Sequence, residues 1–386
     1  MSIEVAIFRS NPRYELVLLD RLSLDERSAL SEIEDDGLYG VLRAPNGTGL
    51  PPRGVSEETA LLFLTLHEPG PLPAYVRRRL GVDIERTATR LVLDEVLEVH
   101  DEGGYVSGPS AAALLRQRSD GDGNGALASL SIDALRYGQA LGTLPVDLLA
   151  LRLYLYGRRP VTAALRRRFP DAAAVAGYLG VCPRGAARPA LDESWIEAVV
   201  PGEPPAWRLW RPRRRLPPRE PNSVDYKLYV STSLHAAPAA VRIVAETLAD
   251  ARGTTGFKIG RDLDGLCRPD KLVAYFARLE DLHEAAALLG PRVAECPPHG
   301  VPFTAPIDPE GLLSWGIDPP RRRNRSPGSS SWRLWVVTRL AEYLAAARGA
   351  TAEGWQFALE RLRLDGVDTS TWVPTKAARE GQLVRA

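Results

Sequence analysis

The sequence predicts an α+β protein. A C-terminal domain with a central antiparallel or mixed sheet flanked by helices follows a mixed, mainly helical N-terminal domain. Three observations carry this. Residues 131–180 hold four successive segments with i, i+3, i+4 apolar spacing. A proline- and arginine-rich stretch, PGEPPAWRLWRPRRRLPPREPN at 201–222, then interrupts the pattern. Beyond it, short alternating runs take turns with helical runs, the order expected of strands and helices built round a sheet. The expected domains are 1–200 for peptide recognition or partner docking, 201–222 as a linker, and 223–386 for the chemistry.

In chain order, IEVAIF reads as a short strand. SEETALLFLTLHE and PAYVRRRLG carry helical spacing beside a loop, APNGTGLPPRG. TRLVLDEVLEVHDEGGYVSG reads as a hairpin turning at DEGG, and RSDGDGNG at 118–125 as a flexible loop. SIDALRYGQAL, PVDLLALRLYLYG, PVTAALRRRF and DAAAVAGYLG are the four helices, with Pro or Asp near their starts. In the C-terminal half, strands are expected at 224–231, 256–260 and 271–277, and helices at about 236–251 and 279–289. A proline-rich crossing, the loop RRRNRSPGSSS and the long helix SWRLWVVTRLAEYLAAARG complete the chain's pattern.

The 386 residues are 45% hydrophobic, ample for a core, and carry a formal charge of +1. That near-neutrality gives no general pull toward nucleic acid or membrane. The RPRRR run at 211–215 reads as a solvated segment or a contact to an acidic partner. The three cysteines form no CxxC pair, so neither a disulfide framework nor a zinc site is expected, and a reducing cytoplasm fits. The N-terminus meets charged residues too early for a signal peptide, and no apolar run reaches the length of a membrane span. There is no GxxxxGK[ST], HExxH or GxSxG, and no kinase-type glycine loop with HRD.

Lysine usage is the most informative chemistry. Of 49 basic residues only four are lysine, and three of these, Lys227, Lys258 and Lys271, fall in or beside the strand-like runs VDYKLYV, TGFKIG and DKLVAYF. A lysine amine can serve as a base, whereas a guanidinium stays protonated. Compositional drift is the plain alternative. By strand alternation Lys227 shares a face with Tyr229, and Lys271 one with Val273 and Tyr275, while Phe257 and Ile259 face the core and Lys258 opposes them. Paired in one sheet, these faces would make a lysine- and tyrosine-lined cleft. An exposed sheet face is the other reading. Arg268 precedes the 271–277 strand, and Arg333 begins the long helix behind a serine cap, a combination suited to an oxyanion. The inferred site is cationic, with no paired carboxylates and no metal ligands.

At these residues the sequence resembles the effector-like proteins related to bacterial phosphothreonine lyases, which also supply the lyase component of class V lanthipeptide and thioamitide biosynthesis. The matching stretch runs from about Val224 to Arg348. YKLYVS, FKIGRDLDGLCRPDKLVAYF, and VPFTAPIDPEGLLSWGIDPP followed by SSSWRLW carry it.

The resemblance implies β-elimination of phosphate from phosphothreonine or phosphoserine in a precursor peptide, giving dehydrobutyrine or dehydroalanine, without cofactor or metal. It implies Lys258 as base, Lys227 as support for the carbonyl and phosphate, and Arg268 and Arg333 as phosphate clamps, with Lys271 as a further phosphate contact. The partners implied are a phosphorylated precursor peptide, a kinase (phosphotransferase) and a cyclase subunit. Phosphothreonine lyases carry Lys-x-His on the first strand, where this chain has Lys227-x-Tyr229. The acid is then Tyr229 or His235, or the phosphate leaves with little help, or the chain is a non-catalytic phosphopeptide- or leader-binding subunit of a peptide-modifying synthetase. A secreted effector acting on host phosphoproteins is the less favoured reading.

Overall fold

The computed structural model describes residues 5–23, 37–45, 52–80, 83–115, 125–198, 206–216, 224–317, 331–350 and 353–376. Most of the expected loop at 118–125 and most of the loop at 321–331 lie outside them, as do the two ends of the expected linker. The chain forms two compact units, residues 1–118 with 346–364 and residues 119–345 with 365–386. Among the described residues no helix is long and apolar enough to cross a membrane.

The first unit contains two three-stranded antiparallel sheets. One joins Phe8–Ser10, Leu97–Asp101 and Gly104–Val106; the other joins Glu15–Leu18, Leu38–Arg43 and Arg53–Ser56. The expected helix after Ser56 is present as Glu57–Thr65, with the Ser56 hydroxyl accepting from Thr59 N–H. The DEGG hairpin is present too, but its first strand is shorter than expected. Residues as far as Leu93 belong to the helix Ile84–Leu93, because ATRLVL buries Ala88, Leu91 and Val92 at helical spacing. Glu95, at φ 62°, makes the turn into the strand. The helix Gly354–Leu364 belongs to this unit, and its Arg361 meets Asp94 at 2.5 Å.

The second unit is built on a seven-stranded antiparallel sheet. Its order is Ala305–Pro306, Leu313–Ile317, Tyr226–Val230, Leu272–Phe276, Thr254–Gly260, Trp207–Pro212 and Trp195–Ala198. The expected antiparallel α+β architecture is therefore borne out. Leu228, Val230, Phe257, Ile259, Ala274 and Phe276 point to one side. There they form the main core with the helices Ala237–Asp250 and Leu279–Val293. The alternation that buries these residues presents Lys227, Tyr229, Lys258, Val273 and Tyr275 on the other face.

The division differs from the expected boundaries at 200 and 222. The helices Ala126–Ala140, Val146–Tyr154, Ala163–Arg168 and Ala172–Tyr178 belong with the large sheet, not with an N-terminal domain. Within the expected linker, Trp207–Pro212 is a sheet strand. Its prolines and arginines mask an alternation in which Trp210 is buried against Phe257. Leu313–Ile317, read as part of a proline-rich crossing, pairs with Tyr226–Val230.

Candidate active site

The register brings two of the three lysines together. Lys227 lies opposite Tyr275, and Lys258 opposite Val273 on the other side of the same strand. The Tyr275 ring sits between the two ammonium groups, 5.8 Å from Lys227 Nζ and 5.6 Å from Lys258 Nζ. Lys258 also stands 4.3 Å from the centre of Trp207. Trp207 pairs with Gly260, so it lies diagonally beside Lys258 on the same face. Tyr229 is buried on this face, its ring packed beside Gly316, where a Cβ would lie 3.4 Å from the ring edge.

Arg268 arrives through a tight turn. At Gly260 a Cβ would fall 2.3 Å from the Gly265 carbonyl carbon, so only glycine allows the strand end to cross the short helix Leu263–Leu266 that closely. Asp262 caps that helix by accepting from Gly265 N–H at 2.8 Å. The Arg268 guanidinium then stacks 5.1 Å from the centres of both Trp207 and Tyr154. Two cations, Lys258 and Arg268, thus share one indole ring. This is favourable for each separately but gathers like charge where an anion would bind well.

Arg268 is held by Asp270 through a two-pronged contact of 2.8 and 2.9 Å. Asp270 is itself buried and receives Arg333 Nη1 at 3.0 Å. Burial alone would push the Asp270 carboxyl up. The Arg333 charge, the Arg268 hydrogen bonds and charge, and Lys258 outweigh it and hold the carboxyl well below the usual range.

This arrangement corrects two expectations. Arg333, expected to clamp phosphate, is 2% exposed. Its Nε donates to Pro302 O at 3.1 Å, and its other nitrogens reach Asp270 and Tyr154 O. The expected serine cap is present, Ser331 Oγ accepting from Leu334 N–H, yet the arginine behind it is committed to holding Asp270. Lys271 also leaves the cluster. Its Nζ donates to Thr232 O at 2.7 Å and to His299 Nδ1 at 3.0 Å, at the strand end.

His235 is not brought to the lysines either. Its ring is exposed in the turn before Ala237–Asp250, the helix covering the sheet's opposite face, and Tyr178 Oη donates to the carbonyls of Leu234 and His235. Sequence reading missed Asp270, Tyr154 and Trp207 as parts of the site. Asp270 was legible as an acid beside Lys271, but what it holds depends on the fold.

Trp207 supports a direct prediction. Trp207→Ala removes the ring under both cations, and contacts of this kind are worth about 0.5–2 kcal/mol each. If these cations act on a phosphopeptide, the change lowers turnover about tenfold, with Trp207→Phe keeping part of the activity. Equal rates for all three proteins would show that the ring does not position Lys258.

His299 carries a pH signature. Burial first, then the charges of Lys271 and Arg159, lower its pKa to about 4 from 6.5, against the opposing effects of Gly157 O and Asp270. Between those values the unfolded chain binds a proton that the folded chain refuses, so stability falls as pH drops from 6.5 toward 4. Urea denaturation at several pH values should show this slope weakened in His299→Gln. An unchanged slope would remove His299 as its source.

No protein-family model matches the chain, and no curated protein matches it. Among solved structures, it is similar to the effector protein from Pseudomonas syringae pv. syringae strain 61. The identity is 12%, the coverage 64% of this chain and 98% of that one, and the TM-score 0.39. It is also similar to the effector protein from Pseudomonas syringae pv. tomato strain DC3000, at 12% identity, 64% and 97% coverage and a TM-score of 0.33. Likeness at these scores carries no residue role to this chain.

Proposed function

We propose that this chain is a lyase that removes phosphate by β-elimination from phosphothreonine or phosphoserine in a ribosomally made precursor peptide. The observation that carries the reading is the pair Lys258 and Lys227 on either side of Tyr275, with Arg268 sharing the Trp207 ring with Lys258. The motifs YKLYVS and FKIGRDLDGLCRPDKLVAYF, which resemble those of phosphothreonine-lyase-related proteins, supply the reaction class.

In this reading the Lys258 amine takes the Cα proton. The C–H electron pair becomes the Cα=Cβ bond, and the Cβ–O bond breaks toward phosphate. Lys227 supports the negative charge that develops on the neighbouring carbonyl, an electrostatic role of the oxyanion-hole kind. Arg268, oriented by Asp270 and through it by Arg333, receives the phosphate. Tyr229 is the acid of choice because it shares the Lys227 face, whereas His235 lies at the helix that covers the other side. The phenol gives its proton to the departing phosphate, a weaker donor than imidazolium, since its reference pKa is about 10.

Incubation of the full chain with a phosphothreonine precursor peptide tests the reading by mass spectrometry. Loss of about 98 Da, one phosphoric acid, is the expected product of proton abstraction coupled to phosphate departure. A bound but unchanged peptide, with the partner kinase present, would leave a phosphopeptide-binding subunit instead.

A further inference from the structure

Beside the strand end that holds Lys271 lies a second pocket of about 320 Å³. The turn at Arg158 and Arg159 lines it, together with Ser233, Cys267, Lys271 and His299. Neither Lys227 nor Lys258 lines it. Its charge is one-sided. Three cations line it and no carboxylate does; the Asp264 carboxylate that pairs with Arg158 stands outside.

The innermost of these cations is 3% exposed and hydrogen-bonded to neutral groups. Lys271 Nζ donates to the Thr232 carbonyl at 2.7 Å and to the His299 ring at 3.0 Å. The ring's far nitrogen, Nε2, lies 2.6 Å from Gly157 O, a contact only an N–H can make. That contact leaves Nδ1 free to accept from Lys271 and keeps the imidazole neutral. The adjacent carboxylate, Asp270, is committed to Arg268 and Arg333. A buried ammonium held by neutral acceptors is costly, and burial lowers its pKa to about 8. An anion in the pocket would relieve that cost. The exposed Arg159, whose backbone N–H is anchored to Cys267 O at 2.9 Å, stands at the mouth to meet it.

We propose that this pocket is a phosphate-binding site, separate from the Lys227–Lys258 face, taking inorganic phosphate or a small phosphate monoester between Lys271, Arg159 and the Ser233 hydroxyl. Arg158 is already paired with Asp264, and the two remaining cations, Lys271 and Arg159, match a doubly charged phosphate better than a single carboxylate. The site does not depend on the lyase reading.

The test uses the full chain carrying Lys227→Ala and Lys258→Ala, which weakens the other cationic face. Calorimetric titration with inorganic phosphate, and separately with glycerol phosphate, should show one site, and the ring nitrogen resonances of His299 should move during it. Adding Arg159→Glu, an exposed change, should weaken binding at least tenfold. Tighter binding of the monoester would support a phosphorylated small molecule as ligand, and equal or tighter binding of inorganic phosphate would support the free ion. No binding by the lysine double variant would overturn the proposal. So would binding unchanged by Arg159→Glu, or acetate binding as tightly as phosphate.

Discussion

Lys258→Ala should lower phosphate elimination by about 10²–10⁴-fold while leaving phosphopeptide affinity within a few-fold, the signature of removing a general base. The side chain stands on a sheet strand, half-buried, and its loss takes nothing from the apolar face that holds the core. Folding should therefore survive, which thermal unfolding can verify. Lys258→Arg separates base from charge: it restores the cation over Trp207 but cannot give up its proton, so it should remain inactive. Single-turnover mass spectrometry beside fluorescence anisotropy measures both quantities. Full turnover in either variant would sink the assignment of Lys258 as base.

Asp270→Ala should cost stability as well as activity. The carboxylate joins Arg268 on the lysine face to Arg333, and removing it strands a guanidinium that is 2% exposed. Breaking a buried pair from one side typically costs about 3–5 kcal/mol. The pH sign follows from the depressed carboxyl of Asp270. Its contribution is complete above the unfolded carboxylate value of about 3.9 and is lost as pH falls toward the folded value. Asp270→Asn keeps the shape without the charge and should show much of the same loss at neutral pH. Denaturant melts at neutral pH and at pH 3 test this. A loss below about 1 kcal/mol, the range of an exposed pair, would show that the network is not the support it is taken for.

Much of the site was legible where strand alternation alone decides direction. Lys227, Tyr229 and Lys258 have apolar neighbours, Leu228, Val230, Phe257 and Ile259, whose burial forces the polar residues to the opposite face. Lys271 fits the same alternation but sits just before its strand, where its long side chain can turn to Thr232 and His299. Arg333 was legible as the arginine behind a helix cap, but not as a residue committed to Asp270, 63 positions away in the chain. Trp207 was hidden because a segment rich in proline and arginine scores as linker. It becomes part of a strand through pairing with Thr254–Gly260 on one side and Trp195–Ala198 on the other.

The sequence by itself therefore determined the α+β class, the helices of 131–180, the three central strands and the face on which Lys227, Tyr229 and Lys258 stand, since periodicity and burial are local properties of the chain. Only the tertiary structure decided which cations meet. Sheet order sets Lys258 beside Trp207, and the buried Asp270 draws Arg268 and Arg333 to itself. Lys271 goes instead to His299, because a charge taken out of water settles on whatever acceptor the packing brings within reach.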